Sequence, residues 1–249
     1  MSSVVTTKID RAQVADTALR LLNEVGLDGL TLRAIAKELD VKAPALYWHF
    51  KNKQELLDEM ATVMYRRMVA AAPPLPEDAD WRERLLAANR ELRAMLLGHR
   101  DGAKVYSGAR FTGTDHAASM EAHLKSALAA GFDLRRAVRA ATTAYAYTLG
   151  FVTEEQGVRP MSGEVRPGYD IAERAARLAE FPLAAAAGAE IFAGYDERFE
   201  DGLRMIVAGI EAVYGPGPGP KSEPDPGPDP EEAGGLPPLA DRPSGLSTP

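Results

Sequence analysis

Residues 140–153, AATTAYAYTLGFVT, carry no charged side chain on any face. A helix without a charged side must be covered on every side. At 1.5 Å per residue the run spans about 21 Å, too short to cross a bilayer. It therefore belongs inside a helical protein. One face can cover its own domain, and another needs a second covering surface. Residues 196–214 supply a matching stripe in Phe199, Leu203, Ile206, Ile210 and Val213. Gly202 and Gly209 lie seven apart, on one side of that helix, and leave room for close helix approach.

Composition narrows the remaining classes. The 249 residues are 45% hydrophobic and 26% charged, enough apolar material for a core. No apolar run approaches the roughly 20 residues of a membrane helix. The start, MSSVVTTKID, lacks the apolar centre of a signal peptide, so a cytoplasmic protein is expected. The absence of cysteine excludes disulfides, thiol nucleophiles and thiolate metal sites. His49, His99, His116 and His123 are too scattered for a zinc site by spacing. The net charge of −7 is unevenly distributed: residues 1–53 sum to +2, 54–214 to −5 and 215–249 to −4. Lys42, Lys51 and Lys53 stand without an acid between 41 and 53. A small positive tip on an acidic body allows nucleic-acid contact at that tip alone.

No run shows the period-two alternation of a strand, so the fold class is all-α. The first helix is predicted over 11–25, with Asp10 as N-cap, Gly26 as stop and Val14, Ala18, Leu21, Leu22 and Val25 as its apolar stripe. Thr31 caps a short helix carrying Leu32, Ile35, Ala36 and Leu39. Asp40-Val41 makes a tight turn, and Pro44 opens a third helix to Phe50. Asn52 with Glu55 approximates a capping box for a helix over 53–71. Further helices are predicted over 80–98, 102–109, 114–130, 133–155, 169–187 and 196–214, with 156–168 as a loop. The last 35 residues hold 11 of the 18 prolines and 7 of the 22 glycines. That composition resists folding, and 215–249 is read as a disordered acidic tail.

Two short helices joined by a tight turn, behind a longer supporting helix, have helix-turn-helix form. The second helix of such a pair enters the major groove. Here it carries Tyr47, Trp48 and His49 in succession, followed by Lys51 and Lys53. Three consecutive rings cannot all face the core of so short a helix. Leu46 and Phe50, four apart, are the better core residues. Tyr47, His49 and Lys53 are assigned to DNA, where rings and lysines suit thymine methyls, sugars and phosphates. Trp48 stays open between core and DNA.

The stretch LTLRAIAKELDVKAPALYWHFKNKQELLDEMA resembles the DNA-binding domain of the TetR family of transcriptional repressors. HRDGAKVYSGARF at 99–111 and GFDLRRAVRAATTAYAYTLGFVTEEQ at 131–156 resemble the ligand-binding domain of its tetracycline-repressor branch. The resemblance implies an N-terminal three-helix helix-turn-helix domain at 1–56 and a ligand-binding and dimerisation domain at 57–214. It implies a homodimer joined by a four-helix interface of the segments near 133–155 and 196–214, bound to double-stranded operator DNA and released by a small-molecule effector. By position, Arg33, Tyr47, Trp48, His49 and Lys53 match operator-contacting residues, and Pro44 is assigned to the same DNA-binding face. Ala43 and Ala45 replace a glutamine and a threonine, and Lys42 replaces an acid, so the operator sequence is expected to differ. Alanine offers only its methyl, to thymine.

In that branch, the resemblance implies, the drug enters as a magnesium chelate, held by a histidine and, through water, by a threonine and by a glutamate from the other subunit. Here Tyr106 and Ala109 occupy the first two positions, and Glu154 matches the third. A neutral tyrosine is a poor magnesium ligand, so neither metal nor cofactor is expected. Tyr106, Arg110, Phe111, Met120, His123, Tyr147, Phe151 and Glu154 are assigned to a largely aromatic effector pocket. Two other classes were weighed. An enzyme would use Glu154 and Glu155 as acid and base, but no phosphate loop or nucleophile motif accompanies them. A DNA binder without a ligand would call for a more basic body.

Overall fold

The computed structural model describes residues 9–215. It contains α1 (Arg11–Gly29), α2 (Leu32–Glu38), α3 (Ala43–Tyr47), α4 (Lys53–Ala71), α5 (Trp81–Leu97), α6 (Gly102–Tyr106), α7 (Asp115–Ala129), α8 (Leu134–Val158), α9 (Ile171–Arg177), α10 (Pro182–Phe192) and α11 (Tyr195–Tyr214). No strand occurs among the described residues. The expected acidic tail lies, from residue 216 on, outside them.

Side-chain caps start most of the long helices. Asp10, Thr31, Asn52 and Asp133 each accept from the backbone N–H three residues on, and Asp80 with Glu83 forms a full capping box. Each such cap contributes about 1 kcal/mol. The box expected at Asn52 is altered: Glu55 reaches back to the backbone N–H of Lys51.

Several boundaries differ from expectation: α6 stops at Tyr106 rather than 109, and α8 continues to Val158, into the segment expected to be loop. Gly26 bends α1 at φ 71° rather than ending it, so helical backbone resumes to Gly29. The bend turns Val25 out of the stripe, and it is exposed. The helix expected at 169–187 is two helices. Phe181 precedes Pro182, whose ring disfavours helical backbone at the residue before it, and Phe181 indeed sits at φ −123°, ψ 75°. α3 ends at Tyr47, three residues short of the expected end, and the chain turns through Trp48 and His49 into the buried Phe50.

One apolar core runs from α1, α2 and α3 through α4 into α5, α6 and α8, joining Leu22, Ile35, Phe50, Met60, Leu96 and Val152. A second lies where α5, α8 and α11 meet, around Trp81, Phe132, Ala144, Phe199 and Leu203. α4 belongs to both halves of the molecule, and the expected boundary at 56/57 falls within it. α8 buries Ala140, Ala144, Thr148 and Val152, while Thr143, Ala146, Gly150 and Thr153 face out. α11 buries Phe199, Leu203 and Ile210, while Met205, Ala208, Gly209, Ala212 and Val213 face out. The stripe expected to meet a second covering surface is thus turned inward at Phe199, Leu203 and Ile210, with Ile206 half-buried and only Val213 exposed. Gly202 is used inside the protomer: a Cβ there would collide with the Tyr147 hydroxyl, whereas Gly209 faces open space.

Candidate operator-reading face and effector site

The tip is built on two buried residues. Leu46 and Phe50 are fully enclosed and hold α3 on the bundle. Arg11 lies over the Phe50 ring, bonds the His49 carbonyl and pairs with Glu59 of α4. Asp40 takes the left-handed conformation at φ 52° to make the tight turn, a backbone region that Asp tolerates. With Leu46 and Phe50 inward, the intervening rings must point out. Tyr47 is 52% exposed and Trp48 90% exposed. That exposure leaves Trp48 without a core role. Arg33, Lys42 and Pro44 are exposed, and Ala43, Ala45 and His49 are half-buried. Lys53 is exposed but already engaged, its Nζ donating to the Leu27 carbonyl at 2.7 Å.

The tip is tied to the body at the α1 bend. The carboxylate of Asp101, in the α5–α6 linker, accepts from the Leu27 N–H at 3.0 Å. Arg100 bonds Asn23 through its backbone N–H and its guanidinium, and pairs through two bonds with Glu164 beyond α8. Burial raises the Asp101 carboxyl, but Lys104 and the Leu27 N–H prevail and hold it below the ordinary range.

The eight residues expected at the effector site divide into groups. Tyr106 and Phe111 are in ring contact at 5.7 Å, and Phe111 also meets Tyr65 at 5.1 Å and His116 at 5.1 Å. Arg110 is exposed and Met120 is 55% exposed. His123 is half-buried on α7, near Glu91 of α5. Tyr147 and Phe151 turn to the opposite side of α8, stack around Phe199, and line a cleft of about 220 Å³ with exposed Glu154, Tyr195 and Arg198. The Tyr147 hydroxyl donates to the Phe199 carbonyl at 3.0 Å. The residue that α8 sends toward Tyr106 is Tyr145. Tyr65, His116 and Tyr145 join this cluster although the sequence assigns none of them to the pocket. Two positions apart on a helix means about 200° of rotation, so Tyr145 and Tyr147 cannot share a face, and sequence alone does not choose between them.

The α6–α7 loop is pinned to α4. Arg110 donates its backbone N–H to Asp58, Thr112 donates to Thr62 at 3.0 Å, and Arg66 holds Asp115 through two bonds. Between α4 and α5 a groove of about 350 Å³ is lined by Met64, Met68, Met95, Glu91 and His99 among others.

The magnesium-chelate arrangement does not fit these residues. Burial pushes the Tyr106 phenol far above its ordinary range, so it stays un-ionised. Ala109 has no polar side-chain atom, which leaves Glu154 alone of the three metal-linked positions. Glu155 is no acid–base partner for Glu154: it is buried and held by Arg93 through bonds of 2.9 and 3.1 Å. Burial raises the Glu155 carboxyl, with Arg93 opposing.

Residues 14–60 match the family described as bacterial regulatory proteins, tetR family, and residues 73–214 match the tetracyclin repressor-like C-terminal domain. The chain belongs to the TetR family. It is 40% identical over 208 residues to the class A tetracycline repressor from transposon 1721 of Escherichia coli, covering 82% of this chain and 91% of that protein. A crystal structure described as a possible TetR family transcriptional regulator from Streptomyces coelicolor A3(2) superposes with a TM-score of 0.71 at 38% identity, covering 82% of this chain and 100% of that one. A TetR variant from Acinetobacter baumannii AYE in complex with minocycline gives 0.64 at 34% identity, covering 83% and 99%. As a TetR-family member the protein is a ligand-responsive, DNA-binding transcriptional repressor and not an enzyme. No helix among the described residues is long and apolar enough to cross a membrane.

Proposed function

We propose that this protein is a cytoplasmic homodimeric repressor that holds a palindromic operator through α3 and releases it when a metal-free aromatic effector enters between α4, α6 and α7. The carrying observation is the exposure of Trp48 and Tyr47 above an α3 whose Leu46 and Phe50 are fully buried. Arg33, Lys42, Ala43, Pro44, Ala45, Tyr47, Trp48, His49 and Lys53 make up the operator-reading face. Lys53 must leave Leu27 to reach a phosphate, so its contribution is the smallest of the cations.

Two copies are needed because one helix-turn-helix reads one half-site. The outward stripes of α8 (Thr143, Ala146, Gly150, Thr153) and α11 (Met205, Ala208, Gly209, Ala212) are uncharged, and all but Met205 are small. Small residues let helices approach closely, and two stripes from each copy make a four-helix interface.

α4 supplies the coupling. Its N-terminal turn packs in the DNA-binding bundle, and its Asp58, Thr62 and Arg66 hold the α6–α7 loop. An effector that moves this loop moves α4, and with it the spacing of the two recognition helices. The ligand must favour the non-binding arrangement over the operator-bound one.

Titration of the protein–operator complex with aromatic polyketides, with and without a chelator, tests the reading. Release that persists in the chelator supports it. Release that vanishes with magnesium removal, or requires tetracycline, overturns the metal-free mechanism. A complex that every effector class leaves intact overturns ligand release itself.

A further inference from the structure

A cleft of about 500 Å³ opens between the C-terminal turn of α8, the loop that follows it and the first turn of α11. That volume suits a small molecule. Leu97, Met161 and Tyr195 give it apolar walls, and no residue assigned to the effector site lines it.

Its charged side chains divide into two kinds. Glu155 and Asp196 line the cleft and are both held by Arg93. Arg198, beside Tyr195, bonds the Ile191 carbonyl. Arg159 and Glu197 also line the cleft, and both are exposed. Their side chains make no hydrogen bond or ion pair among the described residues. Arg159 lies over the Tyr195 ring at 5.0 Å, and its field reaches Glu155 without a bond. The cleft thus holds two uncommitted charges of opposite sign. A wholly cationic ligand is repelled by Arg159 and a wholly anionic one by Glu197. A ligand with both signs satisfies both. Tyr195 and Glu197 are two residues apart on α11, about 200° around its axis. Arg159, over Tyr195, and Glu197 therefore approach a ligand from different directions, and its charges must stand at separate ends.

The same cleft has a route to the operator-reading tip. Met161, Ser162 and Gly163 wall it, and Glu164 follows directly. The loop is closed on itself: the Glu164 N–H donates to the Met161 carbonyl at 3.0 Å and the Arg166 N–H to the Val158 carbonyl at 2.8 Å. Glu164 takes two bonds from Arg100, whose guanidinium also holds the Asn23 carbonyl, three residues before the Gly26 bend of α1. A ligand that sets the position of 161–163 sets Glu164 as well, and this route does not pass through α4.

We propose that this cleft binds an amphoteric molecule the size of a short apolar peptide, its carboxylate on Arg159, its ammonium on Glu197 and its apolar body on Leu97 and Met161, and that its occupancy is felt at α1 through Glu164 and Arg100. This second input goes beyond effector release and does not depend on it.

The test uses the full chain at low ionic strength, where exposed charges are least screened. Leucyl-leucine is the probe and calorimetric titration the readout. Leucyl-leucine amide lacks the carboxylate, and N-acetyl-leucyl-leucine lacks the ammonium. Arg159→Gln is expected to bind leucyl-leucine about three- to fivefold more weakly and the amide as wild type does. Glu197→Gln is expected to weaken leucyl-leucine by a similar factor and leave the N-acetyl compound unaffected. Both side chains are exposed, so the melting temperatures should match wild type. 6-Aminohexanoate carries the same end charges without a peptide group. Its binding in place of leucyl-leucine would assign the site to ω-amino acids, and the reverse to peptides, both within the proposed class. Failure of wild type to bind either compound, or variants that weaken the charge-deleted probes as much as the parent, overturns the site. In a gel shift, a saturating amount of the compound that binds should change wild-type operator affinity at least about threefold. Glu164→Gln should still bind it but show no such change, since by linkage the ligand acts on the operator only through what both states share. Binding that leaves wild-type operator affinity unchanged overturns the link to the tip.

Discussion

The tip at α3 and the region around α7 both carry aromatic and histidine side chains, yet they obey different constraints. At the tip, a five-residue helix and the turn after it leave little to bury, so once Leu46 and Phe50 are inward the outward set is decided. Around α7, each helix is touched on several sides, and which ring meets which depends on rotations fixed by distant partners. Tyr147 packs on α11 while Tyr145 faces Tyr106, although they are two residues apart. A short exposed element can be assigned residue by residue, whereas a long enclosed one cannot.

The contrast can be broken most forcefully at Arg93. Its guanidinium neutralises Glu155 deep between α5 and α8 and also reaches Asp196 at 2.7 Å. Arg93→Ala strands a buried carboxylate and should cost about 3–5 kcal/mol in chemical denaturation. A loss below about 1 kcal/mol would mean that the interior pair is no better enclosed than the tip.

The opposite behaviour is expected of Trp48→Ala. With 90% of the side chain in solvent, unfolding free energy should change by no more than about 0.5 kcal/mol. Operator affinity should fall by about 1–3 kcal/mol in a gel-shift titration. Melting of the protein by this substitution would return Trp48 to the core.

Lys42→Ala sharpens the comparison within the tip. The Lys42 side chain is exposed and makes no hydrogen bond or ion pair among the described residues, whereas Lys53 donates to Leu27. The slope of log affinity against log salt should fall by about one per copy for Lys42→Ala, and by less for Lys53→Ala. Equal slopes would show that Lys53 abandons Leu27 on DNA without penalty.

At the junction of the two regions the effect is smaller and pH-dependent. The folded protein holds the Asp101 carboxyl below its ordinary range. Its stabilising contribution is therefore complete above the unfolded value of about 4 and disappears as pH falls through the folded value. Asp101→Asn should destabilise by at most about 1 kcal/mol at pH 7, since the site is partly exposed, and the difference from wild type should shrink as pH falls well below about 4. A difference that persists there would assign the effect to shape rather than charge. The smallest expected effect is that of truncation after Gly215, which should leave operator and effector titrations unchanged.

Much of the frame was legible because it is local. Asp10, Thr31, Asn52, Asp80 and Asp133 announce helix starts by a bond three residues long. Leu46 and Phe50 reveal the inner side of α3 by their spacing. What escaped is non-local. The Arg93–Glu155 pair spans 62 residues. The use of Gly202 is decided by the Tyr147 hydroxyl on another helix. His116 had no sequence signal beyond being one of four histidines, and only its contact with Phe111 distinguishes it.

α4 has a practical consequence for anyone who would turn such a repressor into a biosensor. The helix that carries Tyr65 and the loop-holding Thr62 and Arg66 is the same continuous rod whose first turn is anchored at the operator-reading end. Substitutions on it made to accept a new inducer will also change the uninduced background. Selection for a new response and against leakiness would have to run together, whereas changes confined to α7 would let the two traits be tuned apart.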